Sequence, residues 1–437
     1  MTEQSQTIVE GIKISSEIVD EVKKKIKSVL DFKEEIDKFS IKNISGLSEI
    51  IMGGAINLDV SDLHIETEKE QSRLRARCDG ILQDVTEIDQ KTYQSLLSRI
   101  KLLSGLKLNI INRPQDGRFS VYYSSEQIVE VRVSTLPSEY GESLVLRLLN
   151  PKNLIDLDAL GLRKDLLELM KKEIKKPNGM IIVTGPTGSG KTTTLYAFLK
   201  QIHGPGIKII TIEDPIEYHL DGISQTQVSP SRGYTFASGL KSIVRQDPDV
   251  ILVGEIRDLE TAEIALQSAL TGHLVFSTLH TNDAAGTVAR LVSLGSSPAN
   301  IGPAVNLAVA QRLVRKVCNQ CRELKEISPE DLKKIKSGLN NLPKKIEIPK
   351  LDENLKIPTA RGCKFCNSTG FRGRVGIFEA FLIDDEMENF IVKNPSIADL
   401  REKAVKKGLV TMYQDGLIKI LEGITTIEEL ERIAGEE

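Results

Sequence analysis

Eight consecutive residues of this chain have the types and the spacing of a phosphate-binding loop. In such a loop, glycines let backbone N–H groups curl around a phosphate, a lysine reaches the β and γ oxygens, and a hydroxyl ligates Mg²⁺. Here the lysine is Lys191 and the hydroxyl belongs to Thr192. The pattern therefore predicts a binding site for Mg-ATP. Its residues are Gly185, Pro186, Thr187, Gly188, Ser189, Gly190, Lys191, Thr192 and the following Thr193.

The sequence on both sides of this loop supports the interpretation. An apolar, β-branched run precedes the loop at Met180–Thr184, and a helix-forming stretch follows it at 193–199. A phosphate-binding loop joins a strand to a helix whose N-terminus favours an anion. A glycine-rich turn that matched the pattern by accident would not require these flanks.

Glu255 ends a second apolar run, which begins at Asp249. A carboxylate at the end of such a strand can hold Mg²⁺ through water or orient the water that attacks the phosphate. A carboxylate at a strand end is also commonly only solvated. We interpret Glu255 as catalytic because the chain also contains Lys191 in its loop.

Three carboxylates lie within five positions at the end of another predicted strand, namely Glu213, Asp214 and Glu217. Clustered carboxylates repel one another unless a cation or a proton is present, which indicates Mg²⁺ binding or a proton-accepting role. A charged turn made by Asp214 and Pro215 is the alternative. The residues alone leave both interpretations open.

His273 and His280 are two of the five histidines and flank the predicted strand 274–277. A histidine at a strand end is more often structural than catalytic. We nevertheless expect both side chains to lie at the ligand-binding edge of the sheet and to sense the nucleotide.

Four of the five cysteines form two C-x-x-C pairs, a pattern that matches a tetrahedral Zn²⁺ site. No open coordination position is implied, so the zinc is expected to be structural and to hold together a segment with few apolar residues. The predicted ligands are Cys318, Cys321, Cys363 and Cys366.

Length and composition limit the possible classes of protein. A chain of 437 residues is expected to form two or three domains, and its 40% apolar and 27% charged residues are typical of a folded globular protein. The net charge of −3 argues against a protein that coats nucleic acid. No apolar run approaches the roughly 20 residues that cross a bilayer, and no signal-peptide pattern follows Met1, so we expect a cytoplasmic location.

The pattern of apolar residues predicts an α/β chain of five segments. Helical and strand-like stretches alternate before about residue 150, which indicates a small α+β domain, whereas the apolar runs at 207–212, 250–253 and 274–277 indicate buried parallel strands. The segments are a short helical N-terminus at 1–45, an α+β domain at 46–150, an ATPase core at 151–315, a tetracysteine subdomain at 316–380 and a helical subdomain at 381–437.

These motifs, in this order, resemble those of the ATPases of type II secretion and type IV pilus assembly systems. The resemblance runs from about Leu47 to Ile433. It implies a RecA-like ATPase domain preceded by a smaller, PAS-like domain. The matching stretches are 61–66, 113–118, the phosphate-binding loop, an Asp box at 211–218, a Walker B strand at 249–258, a His box at 271–280 and 311–315 before the cysteines.

The resemblance also implies roles for individual residues. Glu217 matches the Asp-box glutamate near the catalytic Mg²⁺, and Glu255 matches the Walker B glutamate. Arg132 and Arg147 match the arginines that the first domain brings to the γ-phosphate. Arginine suits this task because it stays charged and can bond two phosphate oxygens in a plane.

Members of this family work as homo-hexamers that act on an inner-membrane platform protein, so the resemblance implies peripheral association with the inner face of the cell membrane through partners. Larger members have an additional N-terminal domain, whereas only about 45 residues precede the matching part of this chain. The tetracysteine favours the assembly or secretion branch. A pilus-retraction or DNA-uptake motor and a DNA-translocating ATPase are the alternatives, but no direct binding of nucleic acid is expected from the charge.

Overall fold

The computed structural model describes residues 11–39, 43–124 and 127–435. It divides into two compact units. The first contains the described residues up to Asn153 together with Arg361–Gly370, and the second contains Leu154–Ala360 and the described residues from Phe371 onward. The five segments inferred from the sequence are a finer division of the chain, and their boundaries stay predictions.

The first unit is built on a sheet whose side chains alternate between a buried and a more exposed face. Its strands are β1 Gly11–Lys13, β2 Asp62–Thr67, β3 Gln71–Cys78, β4 Ile81–Asp89, β5 Gln115–Tyr122, β6 Ile128–Ser138 and β7 Gly141–Leu149. Their spatial order is β1-β5-β6-β7-β2-β3-β4. Neighbouring strands run antiparallel, apart from β1 beside β5. Such alternation is typical of an antiparallel sheet with one face packed on a core.

Four helices of the described residues provide the other side of this core. They are α1 Ser16–Lys25, α2 Val29–Ile36, α3 Ile44–Asn57 and α4 Gln90–Leu103. Their apolar residues, among them Val22, Phe32, Ile50 and Tyr93, pack in one cluster with the inward side chains of the strands. The predicted α+β class of the smaller domain is therefore confirmed, and α1, α2 and β1 lie in the same unit.

A buried ion pair attaches the end of α4 to β7. Lys101 Nζ lies 2.9 Å and 2.8 Å from the two carboxylate oxygens of Glu142 and donates to the carbonyl of Ile110 at 2.8 Å. The two side chains are only 2% and 5% exposed. Removing one partner would leave an uncompensated buried charge, which makes this contact a strict constraint on the position of α4.

The second unit contains a mostly parallel sheet. The strands of this unit are β8 Gly179–Thr184, β9 Ile209–Glu213, β10 Ser224–Gln227, β11 Val250–Val253, β12 Leu274–Leu279, β13 Val305–Val317, β14 Arg322–Glu326, β15 Lys356–Ala360 and β16 Phe371–Leu382. The main sheet has the order β10-β9-β11-β12-β8-β13-β16, and β14 pairs separately with β15. Among the described strands of the main sheet, only β16 runs antiparallel to its neighbour.

Helices cover both faces of this sheet. They are α5 Lys164–Glu173, α6 Lys191–Ile202, α7 Phe236–Val244, α8 Leu259–Leu270, α9 Gly286–Leu294, α10 Pro298–Ala304, α11 Pro329–Gly338, α12 Asp385–Ile391, α13 Ile397–Lys406, α14 Met412–Leu421 and α15 Ile427–Ala434. Two apolar clusters result, one containing Phe198 of α6 and the other containing Leu240 of α7 and Leu266 of α8. Strands β8, β9, β11 and β12 are buried along their whole length, as expected of a parallel sheet between two helical layers. The predicted α/β class is confirmed.

The helical C-terminal part is fixed to the rest of this unit through Asp415 of α14. Its carboxylate accepts hydrogen bonds from Arg163 Nη1 at 2.8 Å, Lys419 Nζ at 2.9 Å and the backbone N–H of Phe378 at 2.8 Å. The Asp415 side chain is fully buried, so these three donors compensate for its lost hydration. Within the described part of the chain, no helix has both the length and the apolar character needed to cross a bilayer.

Candidate active site

The phosphate-binding loop joins β8 to α6. The strand ends at Thr184 and the helix begins at Lys191. Gly190, directly before the helix, has a φ of +89°, a left-handed conformation that glycine adopts without a steric penalty. The first N–H groups of a helix have no partner within it, so the junction is suited to an anion.

Gln311 of β13 packs closely beneath this loop. Its side chain is buried, and its Oε1 accepts a hydrogen bond from Thr194 Oγ1 at 2.7 Å. A Cβ atom at Gly185 would lie 2.4 Å from the Gln311 carbonyl oxygen, and one at Gly190 would lie 2.7 Å from its Nε2. The two glycines are therefore required by packing as well as by backbone conformation. Sequence reasoning placed Gln311 in a motif but assigned it no role.

Lys191 lies within the loop, and its charge interacts with Glu255. Its Nζ donates to the carbonyl of Gly185 at 2.8 Å and to that of Pro186 at 3.1 Å. Burial lowers the pKa of Lys191, and the negative charge of Glu255 opposes that shift. The structure thus brings together the lysine and the carboxylate that the sequence assigns to one site.

The ends of four parallel strands place the other candidate residues at the same edge of the sheet. Strands β9, β11 and β12 lie beside β8 in the order β9-β11-β12-β8. They end at Glu213, at Val253 and at Leu279, respectively. Because the carboxyl ends of parallel strands share an edge, the loops that carry Glu255 and His280 lie beside the phosphate-binding loop.

Besides Lys191, Glu255 has Arg257 and His280 as neighbours. Arg257 forms an ion pair with one of its carboxylate oxygens, and His280 Nε2 lies 3.6 Å from the other. Burial, and then the positive charge of Lys191, lower the pKa of His280 below its ordinary value. His280 therefore faces Glu255 as a neutral imidazole near neutral pH. Arg257 was given no role from the sequence, although it follows Glu255 by two residues.

Glu213 is a buried carboxylate at the start of the acidic segment. It accepts hydrogen bonds from Thr211 Oγ1 at 2.6 Å, from the hydroxyl of Tyr196 and from Gln225 Nε2 at 3.3 Å. Tyr196 belongs to α6, so this contact links the helix after the phosphate-binding loop to β9. Burial raises the pKa of Glu213, and the charge of Glu217 adds to the rise.

Three predicted contributors lie elsewhere: one at the opposite edge of this sheet and two in the first unit. His273 precedes β12, and its backbone carbonyl accepts from the N–H of Gly179 at the start of β8, so it lies at the amino end of the strands. The expectation that both histidines occupy the ligand-binding edge therefore holds for His280 and is corrected for His273. Arg132 and Arg147 lie on β6 and β7 of the first unit.

The two C-x-x-C pairs come together in the structure. The sulfur atoms of Cys318, Cys321, Cys363 and Cys366 all lie within 4.8 Å of one another. Tetrahedral Zn²⁺ with Zn–S bonds of about 2.3 Å places its ligand sulfurs about 3.8 Å apart, and the Cys363 and Cys366 sulfurs are separated by 3.7 Å. Four soft thiolate donors at this spacing fit Zn²⁺.

The geometry of this site agrees with the similarity of the chain to known proteins. The family model described as type II/IV secretion system protein matches residues 37–432. The type II secretion system ATPase E of Vibrio cholerae is 44% identical over 392 residues, covering 89% of this chain and 75% of that protein. The chain belongs to the type II/IV secretion system protein family. The predicted family is thereby confirmed, as is the prediction that the chain is an ATPase.

Other relatives come from pilus systems. The type IV pilus assembly ATPase PilB of Thermus thermophilus is 43% identical over 374 residues, which cover 85% of this chain and 41% of that protein. Among solved structures, the pilus retraction motor PilT with bound ADP has a TM-score of 0.59 at 26% identity, covering 87% of this chain and 95% of that one. DotB of Legionella pneumophila has a TM-score of 0.65 at 24% identity, covering 89% and 95%, a likeness of fold. The roles of individual site residues stay predictions.

Replacing Glu213 with Gln should remove one pH-dependent contribution to the stability of the protein. Because its pKa is raised in the folded protein, the native state holds the Glu213 proton more tightly than the unfolded state does. The contribution of Glu213 to the free energy of unfolding therefore falls as the pH rises above the ordinary carboxyl value of 4.5. Glutamine does not titrate, so Glu213→Gln should gain stability relative to the unmodified protein between that pH and pH 8.

Urea unfolding at several pH values measures this difference. The matched control is Glu263→Gln on α8, because it removes a carboxylate that is exposed to solvent. The raised pKa of Glu213 would be contradicted if the stability difference stayed constant with pH. It would also be contradicted if Glu213→Gln lost stability relative to the unmodified protein as the pH rose.

Proposed function

We propose that this chain is the subunit of a hexameric motor that hydrolyses Mg-ATP and couples the reaction to assembly of a type II secretion pseudopilus or a type IV pilus. The observation that carries the proposal is the shared strand edge, where Lys191 of the phosphate-binding loop lies near Glu255 and Glu255 lies near His280. The process that hydrolysis would drive is inferred from the relatives, which are named as ATPases of secretion and of pilus assembly.

Nucleotide binding is assigned to the loop and the first turn of α6. The backbone N–H groups of Gly185 and of residues 187–190 would surround the β-phosphate, Lys191 would contact the β and γ oxygens, and the Thr192 hydroxyl would hold Mg²⁺. Bound Mg²⁺ would neutralise the charge that develops on the phosphates. His280 is positioned to respond to the state of Glu255, since its Nε2 faces that carboxylate.

Hydrolysis is assigned to the two acidic loops. Glu255 orients the attacking water, and Glu217 contributes to the Mg²⁺ environment. Arg257 holds one oxygen of Glu255 in an ion pair, which fixes the direction of that carboxylate. Arg132 and Arg147 of the first unit supply positive charge to the γ-phosphate, so that closure of the domains and hydrolysis become coupled.

Lys191→Ala should abolish nucleotide binding, because the loop loses its phosphate cation. Glu255→Gln should still bind ATP but turn over about 10²- to 10⁴-fold more slowly, the usual effect of removing a group that assists proton transfer. Calorimetric ATP binding and steady-state phosphate release measure the two effects separately. Lys200→Ala is the matched control, because Lys200 lies on the same helix but pairs with Asp156 at the surface. Unchanged turnover in Glu255→Gln would remove its catalytic role.

We assign the motor to the cytoplasmic face of the inner membrane, where a platform protein recruits it. The membrane system is inferred from the names of the relatives, which divide between type II secretion and type IV pili. Similarity to the PilT structure keeps a retraction motor as the second candidate. A DNA-translocating ATPase is the candidate of another class.

Purified protein should have the mass of a hexamer in the presence of ATP, and its turnover should rise when the cytoplasmic domain of a candidate platform protein is added. Light scattering gives the mass and phosphate release gives the turnover. Double-stranded DNA at low salt is the control ligand, since a chain of net charge −3 is not expected to respond to it. A monomer under all conditions, or stimulation by DNA alone, would contradict the motor assignment.

The cysteine cluster is assigned to structural zinc. Four thiolates leave no position open for a substrate, so the ion would hold the two C-x-x-C turns together rather than take part in hydrolysis. Such a site stabilises the fold directly, because its ligands are brought together only in the folded chain.

Metal analysis should find one zinc per chain in the unmodified protein. Cys363→Ser should lower both the zinc content and the melting temperature, because one of the four ligands is lost. Cys78→Ala is the matched control, since this fifth cysteine lies outside the cluster and its loss should leave the zinc content unchanged. Zinc near zero in the unmodified protein would remove the assignment.

A further inference from the structure

A row of charged side chains crosses five strands of the first unit. In the register of the sheet, Arg118 lies opposite Arg132, and Arg132 lies opposite Arg147. Arg147 in turn lies opposite Asp62, and Asp62 lies opposite Arg77. We call these five residues the arginine row. Residues that are directly opposite in antiparallel strands point to the same face, with Cβ atoms about 5 Å apart. The row therefore concentrates four guanidinium groups and one carboxylate on the outer face of the sheet.

At two places in the arginine row, two arginines lie directly opposite each other on neighbouring strands. Arg132 stands between Arg118 and Arg147, and like charges in that relation destabilise a sheet. Local arrangements that oppose stability are expected where a protein performs its function. Adjacent arginines on neighbouring strands are suited to a ligand that carries several negative oxygens, such as a phosphate.

Asp62 is the only carboxylate of the arginine row, and it lies between two of the arginines. Its Oδ1 accepts a hydrogen bond from Arg147 Nε at 2.9 Å, and its Oδ2 lies 3.5 Å from Arg77 Nε. Ser61 Oγ also donates to Oδ2, at 2.9 Å. The Asp62 side chain is 9% exposed, whereas that of Arg147 is 55% exposed. A buried and well-fixed carboxylate thus holds one edge of the guanidinium group of a largely exposed side chain.

A contact through Nε has a particular consequence for arginine. The guanidinium group is planar, so holding its Nε edge fixes the direction of the whole plane. A long, exposed side chain would otherwise lose rotamer freedom on binding a phosphate oxygen, and orientation in advance reduces that loss. Asp62 can therefore act on ligand binding without touching the ligand.

We propose that Asp62 is a positioning residue that orients Arg147 for the γ-phosphate of ATP. This inference rests on the function proposed above for Arg147. It adds a residue whose motif was recognised in the sequence but whose partner was not. Asp62 contacts no reacting atom in this scheme and acts through Arg147 alone.

An ordinary structural ion pair is the competing explanation, and the same sheet contains one for comparison. Asp84 of β4 lies 3.2 Å from Arg75 Nε, but its side chain is 68% exposed and it lies outside the arginine row. Asp84→Asn is therefore the matched control. It removes an aspartate from an arginine on the same sheet without changing any contact of Arg147.

Asp62→Asn should lower kcat tenfold to a hundredfold, the effect expected when a catalytic cation is misplaced by about 1 Å. The KM for ATP and the affinity for ADP, which lacks the γ-phosphate, should change little. Asp84→Asn should leave kcat, KM and ADP affinity as they are. A general loss of structure would instead lower the melting temperature and ADP affinity together. A fall in ADP affinity as large as the fall in kcat would overturn the proposal.

The double variant Asp62→Asn, Arg147→Ala decides whether Asp62 acts through Arg147. If it does, adding Asp62→Asn to Arg147→Ala should cause no further loss of kcat. A further loss equal to that of the single Asp62 variant would overturn the proposal. If Arg147→Ala lowers kcat but Asp62→Asn does not, the inference fails and the role of Arg147 stands. If Arg147→Ala has no effect, both fail.

Asp62→Glu provides a second test that preserves the charge of the sheet. The added methylene displaces the carboxylate from Arg147 Nε, so kcat should fall by a smaller factor than in Asp62→Asn. This smaller loss should also disappear in the Arg147→Ala background. The comparison stays decisive if Asp62→Asn fails to fold, and a loss that persists without Arg147 would overturn the proposal.

Discussion

The parallel direction of β8, β9, β11 and β12 is the constraint on which the site in the second unit depends. Parallel strands connected through helices must all end at the same edge, so four chain segments distant in sequence are brought to one place. The phosphate-binding loop, the acidic segment after Glu213, the Glu255 loop and His280 are those segments. No single contact has to assemble them, because the sheet order does so.

The carboxylates at this edge are compensated by basic side chains and hydrogen-bond donors that lie next to them. Glu255 interacts with Lys191, forms an ion pair with Arg257 and faces a neutral His280. Glu213 is more deeply buried, and three donors compensate for its desolvation. One of these donors is Tyr196 of α6, so a displacement of the helix that follows the phosphate-binding loop would disturb the acidic segment directly. The two halves of the site are mechanically connected through that hydroxyl.

The sequence predicted the features that depend on local spacing. The phosphate-binding loop, the cysteine pairs and the buried strands each follow from residue types within a short window. Gln311, Arg257 and Asp62 were recognised only as parts of motifs, because their partners are set by sheet register and side-chain direction. His273 shows a different failure, since the information was present. A residue that precedes a parallel strand lies at its amino end, and His273 precedes β12.

Register also explains how the first unit can keep an arrangement that opposes its own stability. Side chains alternate along a strand with a period of two, so a slip of one residue in β7 would bury Arg147 and expose Leu146. Leu146 is 1% exposed and belongs to the core, while Arg147 is 55% exposed. The hydrophobic pattern that stabilises the sheet therefore holds the arginine row in alignment, against the mutual repulsion of its members. Asp62 reduces that repulsion at one end, and the direction it gives to Arg147 is a consequence of the same packing.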